Sequence, residues 1–277
     1  MAMMVRTLVL TAAMTLTAGA QAQERYALVG GTLIDGNGGQ PIRNSVILVE
    51  DERIIQVGNT DTVAVPDGYE VISTEAMTVL PGLWEMHAHL MLNGHADYDH
   101  WHPTYADRME DEIMPASAVQ LLLAGVTTAR DLGAPLDISL SIRDRINSGA
   151  LPGPRLFVSG PFLQHRTRPG AEHYRWGIEG EREARARVNE LADAGVDVIK
   201  LIDQDEMTLA EATALVDQAH QRGLRVVGHS HRPGEVLRGL EIGVDNFEHT
   251  GLTTAPEYPE HVMDALVDRT ARGRISG

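Results

Sequence analysis

Apolar positions fall into two regimes along the 277-residue chain. From Tyr26 to Ile72, short runs of aliphatic and β-branched residues are separated by turn residues. A-L-V-G-G-T-L-I-D-G precedes a G-N-G-G turn at Gly36–Gly39, and S-V-I-L-V-E-D-E-R-I-I-Q-V-G folds back at Asp51-Glu52. Such punctuation predicts strands and a hairpin. From Pro81 onward, helical spacing takes turns with short apolar runs. Helices are predicted over Met109–Leu123, Leu136–Ile146, Glu181–Ala194, Leu209–Gln221, Pro233–Ile242 and Pro259–Ala271. Gly125, Gly195 and Gly223 close three of them, as C-terminal glycines do. The intervening runs at Val126–Gly133, Pro154–Gly160, Val196–Ile202, Leu224–His231 and Val244–Thr250 predict strands. Two polar loops interrupt the series, one with His95, His100, Trp101 and His102, the other over Pro161–Gly180 with His165, Arg166, Arg168 and His173. Strand–helix alternation of this kind builds a parallel sheet or barrel. No strand runs into G-x-G-x-x-G, so a dinucleotide fold lacks its fingerprint and the barrel is preferred.

Composition narrows the classes. The formal net charge of -16 leaves no electrostatic footprint for nucleic acid or anionic lipid. Cysteine is absent, which excludes disulfides, thiolate metal sites and a cysteine nucleophile. The first 22 residues read as a secretory signal: Arg6, an apolar Leu8–Ala18 stretch, then Ala20-Gln21-Ala22 before Gln23. Cleavage after Ala22 predicts a periplasmic or secreted protein with no membrane attachment once the signal is removed.

The candidate chemistry centres on V-L-P-G-L-W-E-M-H-A-H-L, Val79–Leu90. Side chains two apart on a strand share a face, so His87 and His89 project together from a strand end. Neutral imidazole is a common ligand for zinc-like metals. Three later strands each end on a metal-competent residue, Lys200, His229 and His249. His231 shares a face with His229, and alternation cannot separate them. Arg166, Arg168 and His173 are candidates to receive a substrate carboxylate, with a solvated basic loop as the alternative. Asp131 is expected to orient Arg130 or cap a helix.

The ordered set of P-G-L-W-E-M-H-A-H, G-V-T-T-A-R-D-L-G, V-D-V-I-K, V-V-G-H-S-H and G-V-D-N-F-E-H-T-G resembles the amidohydrolase superfamily, especially its imidazolonepropionase-like and prolidase-like metal-dependent hydrolases. The resemblance implies an α/β fold, a TIM-like (β/α)8 barrel left incomplete after six βα units. Residues 1–22 would be the signal, 23–80 a β-sandwich portion and 81–277 the barrel units. It also implies two divalent metal ions, expected to be zinc. His87 and His89 would hold one, His229 and His249 the other, and a carboxylated Lys200 both. His231 would orient the substrate. Hydrolysis of a C–N bond in a small amide, cyclic amide or dipeptide follows. The family's proton-shuttling aspartate belongs to strand eight, beyond Gly277, so the chain is similar to a truncated member. A non-catalytic metal-binding remnant or half of a split protein, and a lactonase or phosphotriesterase, stand as alternatives. Open sheet edges offer a route to oligomers.

Overall fold

The predicted hairpin is the middle of the first structural unit. In a computed structural model, which describes residues 24–92, 97, 100, 103–249 and 257–271, the chain divides into two compact units between Pro81 and Gly82. The export segment and His95, Trp101 and His102 lie outside the described residues. Unit one holds β1 (Arg25–Val29), β2 (Thr32–Leu33), β3 (Ser45–Glu50), β4 (Arg53–Asn59), β5 (Glu70–Ser73) and β6 (Thr78–Val79). Four strands form one sheet in the order β4-β3-β1-β5, while β2 pairs with β6. The β3–β4 turn holds Asp51 at φ 51°, a left-handed conformation that aspartate tolerates better than most residues. Ala27, Val46, Leu48 and Val63 form its small core.

Unit two carries the strand–helix alternation, with every strand pair parallel. Its elements are β7 (Leu83–Ala88), α1 (Met114–Leu123), β8 (Val126–Asp131), α2 (Leu136–Asn147), β9 (Arg155–Val158), β10 (Phe162–Gln164), β11 (Arg175–Gly177), α3 (Glu181–Ala194), β12 (Val198–Leu201), α4 (Leu209–Gln221), β13 (Arg225–His229), α5 (Pro233–Ile242), β14 (Asn246–Glu248) and α6 (Glu260–Ala271). One sheet runs β7-β8-β9 and the other β11-β10-β12-β13-β14. The Asp197 amide donates to the Val158 carbonyl at 2.9 Å, and its carboxylate accepts from the Val158 amide at 2.9 Å, which joins the two sheets. Among the described residues the strands form an open series, an incomplete TIM-like barrel, in chain order except that β11 flanks β10 on the side away from β12. Leu163, Leu191, Ile199, Leu201 and Leu215, all fully buried, anchor the larger core between strands and helices. Each such side chain contributes about 1.5–3 kcal/mol by leaving water.

Local sequence explains the ends of these elements. Gly195 terminates α3 at φ 88°, where a Cβ would be strained. Thr208 caps α4, accepting from the Glu211 amide while the Glu211 carboxylate returns to the Thr208 amide at 2.9 Å. The helix predicted over Met109–Leu123 starts with a π-helical turn, Met109–Ile113, before α1. Pro115 lacks the amide that would extend the α ladder backward. The polar loop expected over Pro161–Gly180 is a correction, because it contains β10 and β11. Phe162, Leu163 and Gln164 are all buried there, and Leu163 pairs with Leu201.

Candidate metal centre

The parallel strands bring their C-terminal ends to one rim, and five of the sequence-predicted side chains meet there. His87 is the penultimate residue of β7 and His89 follows its end; their Nε2 atoms are 3.0 Å apart. The backbone beside them is tied down at several points. Glu85 Oε1 accepts from the His87 amide at 2.9 Å, and Asp131 Oδ1 accepts from the Leu90 amide at 3.2 Å. Asp131 thus braces the turn after β7 rather than orienting Arg130, a second correction. The reason is topological: β8 sets successive side chains on opposite faces, so Arg130 points elsewhere. The edge of Phe162 meets the His89 ring at 5.4 Å.

Lys200 lies within β12, 1 % exposed, and its Nζ has no hydrogen-bond partner among the described residues. Burial pushes its pKa down to about 8; Glu248 opposes the shift and Arg130 adds to it. His229 ends β13, with His231 two residues on. His249 follows β14 at φ 74°, a conformation that costs a non-glycine residue about 1–3 kcal/mol. That conformation accompanies the contacts of its ring. His249 Nε2 sits 3.1 Å from His229 Nδ1, and its ring stacks on His231 at 3.9 Å. One nitrogen from each of His229, His231 and His249 lies within 4.8 Å of the others. The structure therefore draws His231 into the same cluster. His87 closes the circle, its ring centroid 4.7 Å from that of His249.

Burial is the leading cause by which three imidazoles are held neutral. It lowers the pKa of His89 to about 3, of His229 to about 2 and of His249 to about 4. His231 is lowered as well, again chiefly by burial. Neutral rings keep a lone pair for a metal. A buried ammonium among them, without a hydrogen-bond partner among the described residues, would repel a divalent cation, whereas a lysine carbamate would attract one. The donor set, four or five neutral ring nitrogens and one buried amine able to become an anion, fits divalent metal.

These shifts set an acid limit on the metal-free chain. Each depressed histidine binds a proton in the unfolded chain below about 6.5 and refuses it in the fold until much lower pH. The histidine contribution to stability should be complete above pH 6.5 and fall as pH drops. His89 alone contributes a slope of about 1.4 kcal/mol per pH unit between pH 6.5 and about 3. Urea melts of the metal-free protein from pH 8 to 4 check this; equal midpoints at pH 7 and 5 would contradict it.

A cavity of about 820 Å³ opens over the cluster, lined by His87, His89, His229 and His249 together with Arg130 and Glu248. That volume suits a small organic ligand. Arg166, Arg168 and His173 are exposed side chains on the β10–β11 segment, not gathered into the cavity lining. Arg175, which sequence reasoning missed, acts electrostatically on His89. It lies 5.1 Å over Phe162 and donates to Gln164 Oε1 at 3.2 Å. Arg130 and Glu248 were missed too. The available signal was a charged residue in each of two short strands, β8 (V-T-T-A-R-D) and β14 (N-F-E).

The amidohydrolase-family profile matches residues 78–268. Ochratoxinase of Aspergillus niger is 24 % identical over 271 residues, covering 80 % of this chain and 53 % of the relative. The chain thus spans about half the length of the curated relatives it matches. The structure of molinate hydrolase superposes with a TM-score of 0.75 at 25 % identity, covering 89 % of this chain and 62 % of that one. Phenylurea hydrolase B gives 0.73 at 25 % identity, covering 88 % and 63 %.

Proposed function

The chain belongs to the amidohydrolase family, and on that premise we propose that it is a metal-dependent hydrolase of a C–N bond in a small amide. The observation that carries this reading is Lys200, a buried amine without a partner amid neutral imidazoles. Its neutral form adds to carbon dioxide, releasing one proton and giving a carbamate. His87, His89, His229 and His249 would then hold two divalent ions, expected to be zinc, together with that carbamate. Ions held there supply Lewis acidity and bring the pKa of water toward neutrality.

The chain's own residues supply the rest. His89, held neutral by burial, presents a lone pair without a proton to lose, and His87 stands beside it. His231, stacked on His249, is the ring proposed to meet the substrate carbonyl. Arg175 is placed to hold a substrate carboxylate, with Phe162 fixing its plane. Arg166, Arg168 and His173 would act only on a longer substrate, at the outer surface. The proposal includes export through the N-terminal segment to the periplasm or medium. No helix among the described residues is long and apolar enough to cross a membrane.

The test is a purified, zinc-loaded chain offered N-acyl amino acids, dipeptides, anilides and ureas beside esters, lactones and phosphotriesters. Amides should turn over in preference. Faster ester or phosphotriester turnover would displace the amide reading. A second reading, metal binding without turnover, rests on the open strand series of the described residues; bound zinc with every substrate inert would establish it.

A further inference from the structure

We propose that Glu248 is a positioning residue which, with Arg130, forms a clasp across the cavity that sets the tautomer of His87. The inference rests on the reading of His87 as a metal ligand.

Glu248 is 3 % exposed, and its two oxygens are divided between different tasks. Oε2 lies 3.3 Å from His87 Nδ1. Oε1 accepts from Arg130 Nη2 at 2.7 Å and from Asn246 Nδ2 at 2.9 Å. Arg130 Nε in turn donates to the Met86 carbonyl at 2.8 Å, one residue before His87. The carboxylate holds the ring of His87 and the guanidinium holds the carbonyl of the residue before it. The two ends of the clasp therefore act on adjacent residues of β7.

Geometry decides the tautomer. An ionised carboxylate only accepts, so Nδ1 carries the hydrogen, and in the neutral ring that leaves the lone pair on Nε2. That nitrogen is the one facing His89 Nε2 at 3.0 Å. A ligating histidine is oriented by the group bonded to its other nitrogen. The clasp also spans strands that do not pair: among the described residues β7 pairs with β8 and β14 with β13. Its second consequence is to hold His87 and His249 at their separation.

Glu248→Gln is informative because an amide has one acceptor oxygen. Arg130 and Asn246 both need it, which turns the amide NH2 toward His87 Nδ1 and moves the ring hydrogen to Nε2. Long-range 15N–1H spectra of the metal-free protein should show His87 protonated at Nδ1 in the wild type and at Nε2 in Glu248→Gln. Zinc affinity, measured by chelator competition, should fall about 10- to 100-fold with the circular dichroism spectrum unchanged. If the single variant does not fold, the double variant Arg130→Met, Glu248→Gln removes the unpaired buried cation and keeps the same readouts, since Asn246 still claims the oxygen. An Nε2 hydrogen on His87 in the wild type, or unaltered zinc affinity in the folded variant, overturns the clasp. Should the wild type bind no zinc, the metal reading fails while the tautomer comparison still decides the clasp.

Discussion

Replacing Lys200 by methionine should make the metal-free chain more stable and its metal binding far weaker. The two effects have one origin. At neutral pH the buried ammonium, its pKa depressed from 10.5 to about 8, penalises folding by about 3 kcal/mol. Methionine fills a similar volume and brings no charge, so the penalty disappears. The sign of the pH dependence follows. A base depressed in the fold costs its full amount below pH 8, and the cost fades as pH rises through 8 to about 10.5. The stability gap between Lys200→Met and wild type should therefore be widest at pH 7 and close by pH 10.5. Metal binding moves the other way, because methionine cannot form a carbamate. Losing several kcal/mol of charge stabilisation corresponds to roughly 10³-fold in any turnover. Urea melts and zinc titrations of the two proteins check both halves. A variant that is less stable than wild type yet binds zinc equally would remove Lys200 from the centre.

The second large effect is expected from Gly133→Ala, through packing rather than charge. A Cβ at Gly133 would fall 1.5 Å from Phe162 Cε1 and 2.3 Å from Cζ, so the ring must move. Phe162 is 6 % exposed and wedged between His89, at 5.4 Å, and Tyr174, at 5.8 Å. Overpacking of this kind costs about 1–3 kcal/mol. Displacing the ring also frees His89 to rotate, and zinc affinity should fall with stability. Phe162→Ala alone should cost about 3–5 kcal/mol by leaving a cavity. Placed together, the two changes should cost clearly less than their sum, since the alanine methyl then has room. Strict additivity in urea melts would show that Gly133 and Phe162 do not oppose one another.

Much of this was legible in the chain because strands and helices impose periods. Alternation put His87 beside His89, and glycine stops ended the helices where the structure ends them. The segment 161–180 was not legible. β10 and β11 are three residues each, too short for a periodic signal, and the charged Arg166 and Arg168 between them dominate any hydropathy pattern. Nor could spacing reveal the Arg130–Glu248 pair, whose members lie 118 residues apart and meet only through the strand order. The stacking of His231 on His249 involves a residue with a left-handed backbone, which no residue type announces.

The central claim is that Lys200 and the histidines of β7, β13 and β14 form one divalent-metal centre. Anomalous diffraction at the zinc edge, from crystals grown with zinc and bicarbonate, tests it most directly. Peaks are predicted within bonding distance of His87, His89, His229 and His249, with density for a carbamate on Lys200. A map with no anomalous peak at these residues, or with Lys200 bare and turned away from an ion bound by the imidazoles, would contradict it.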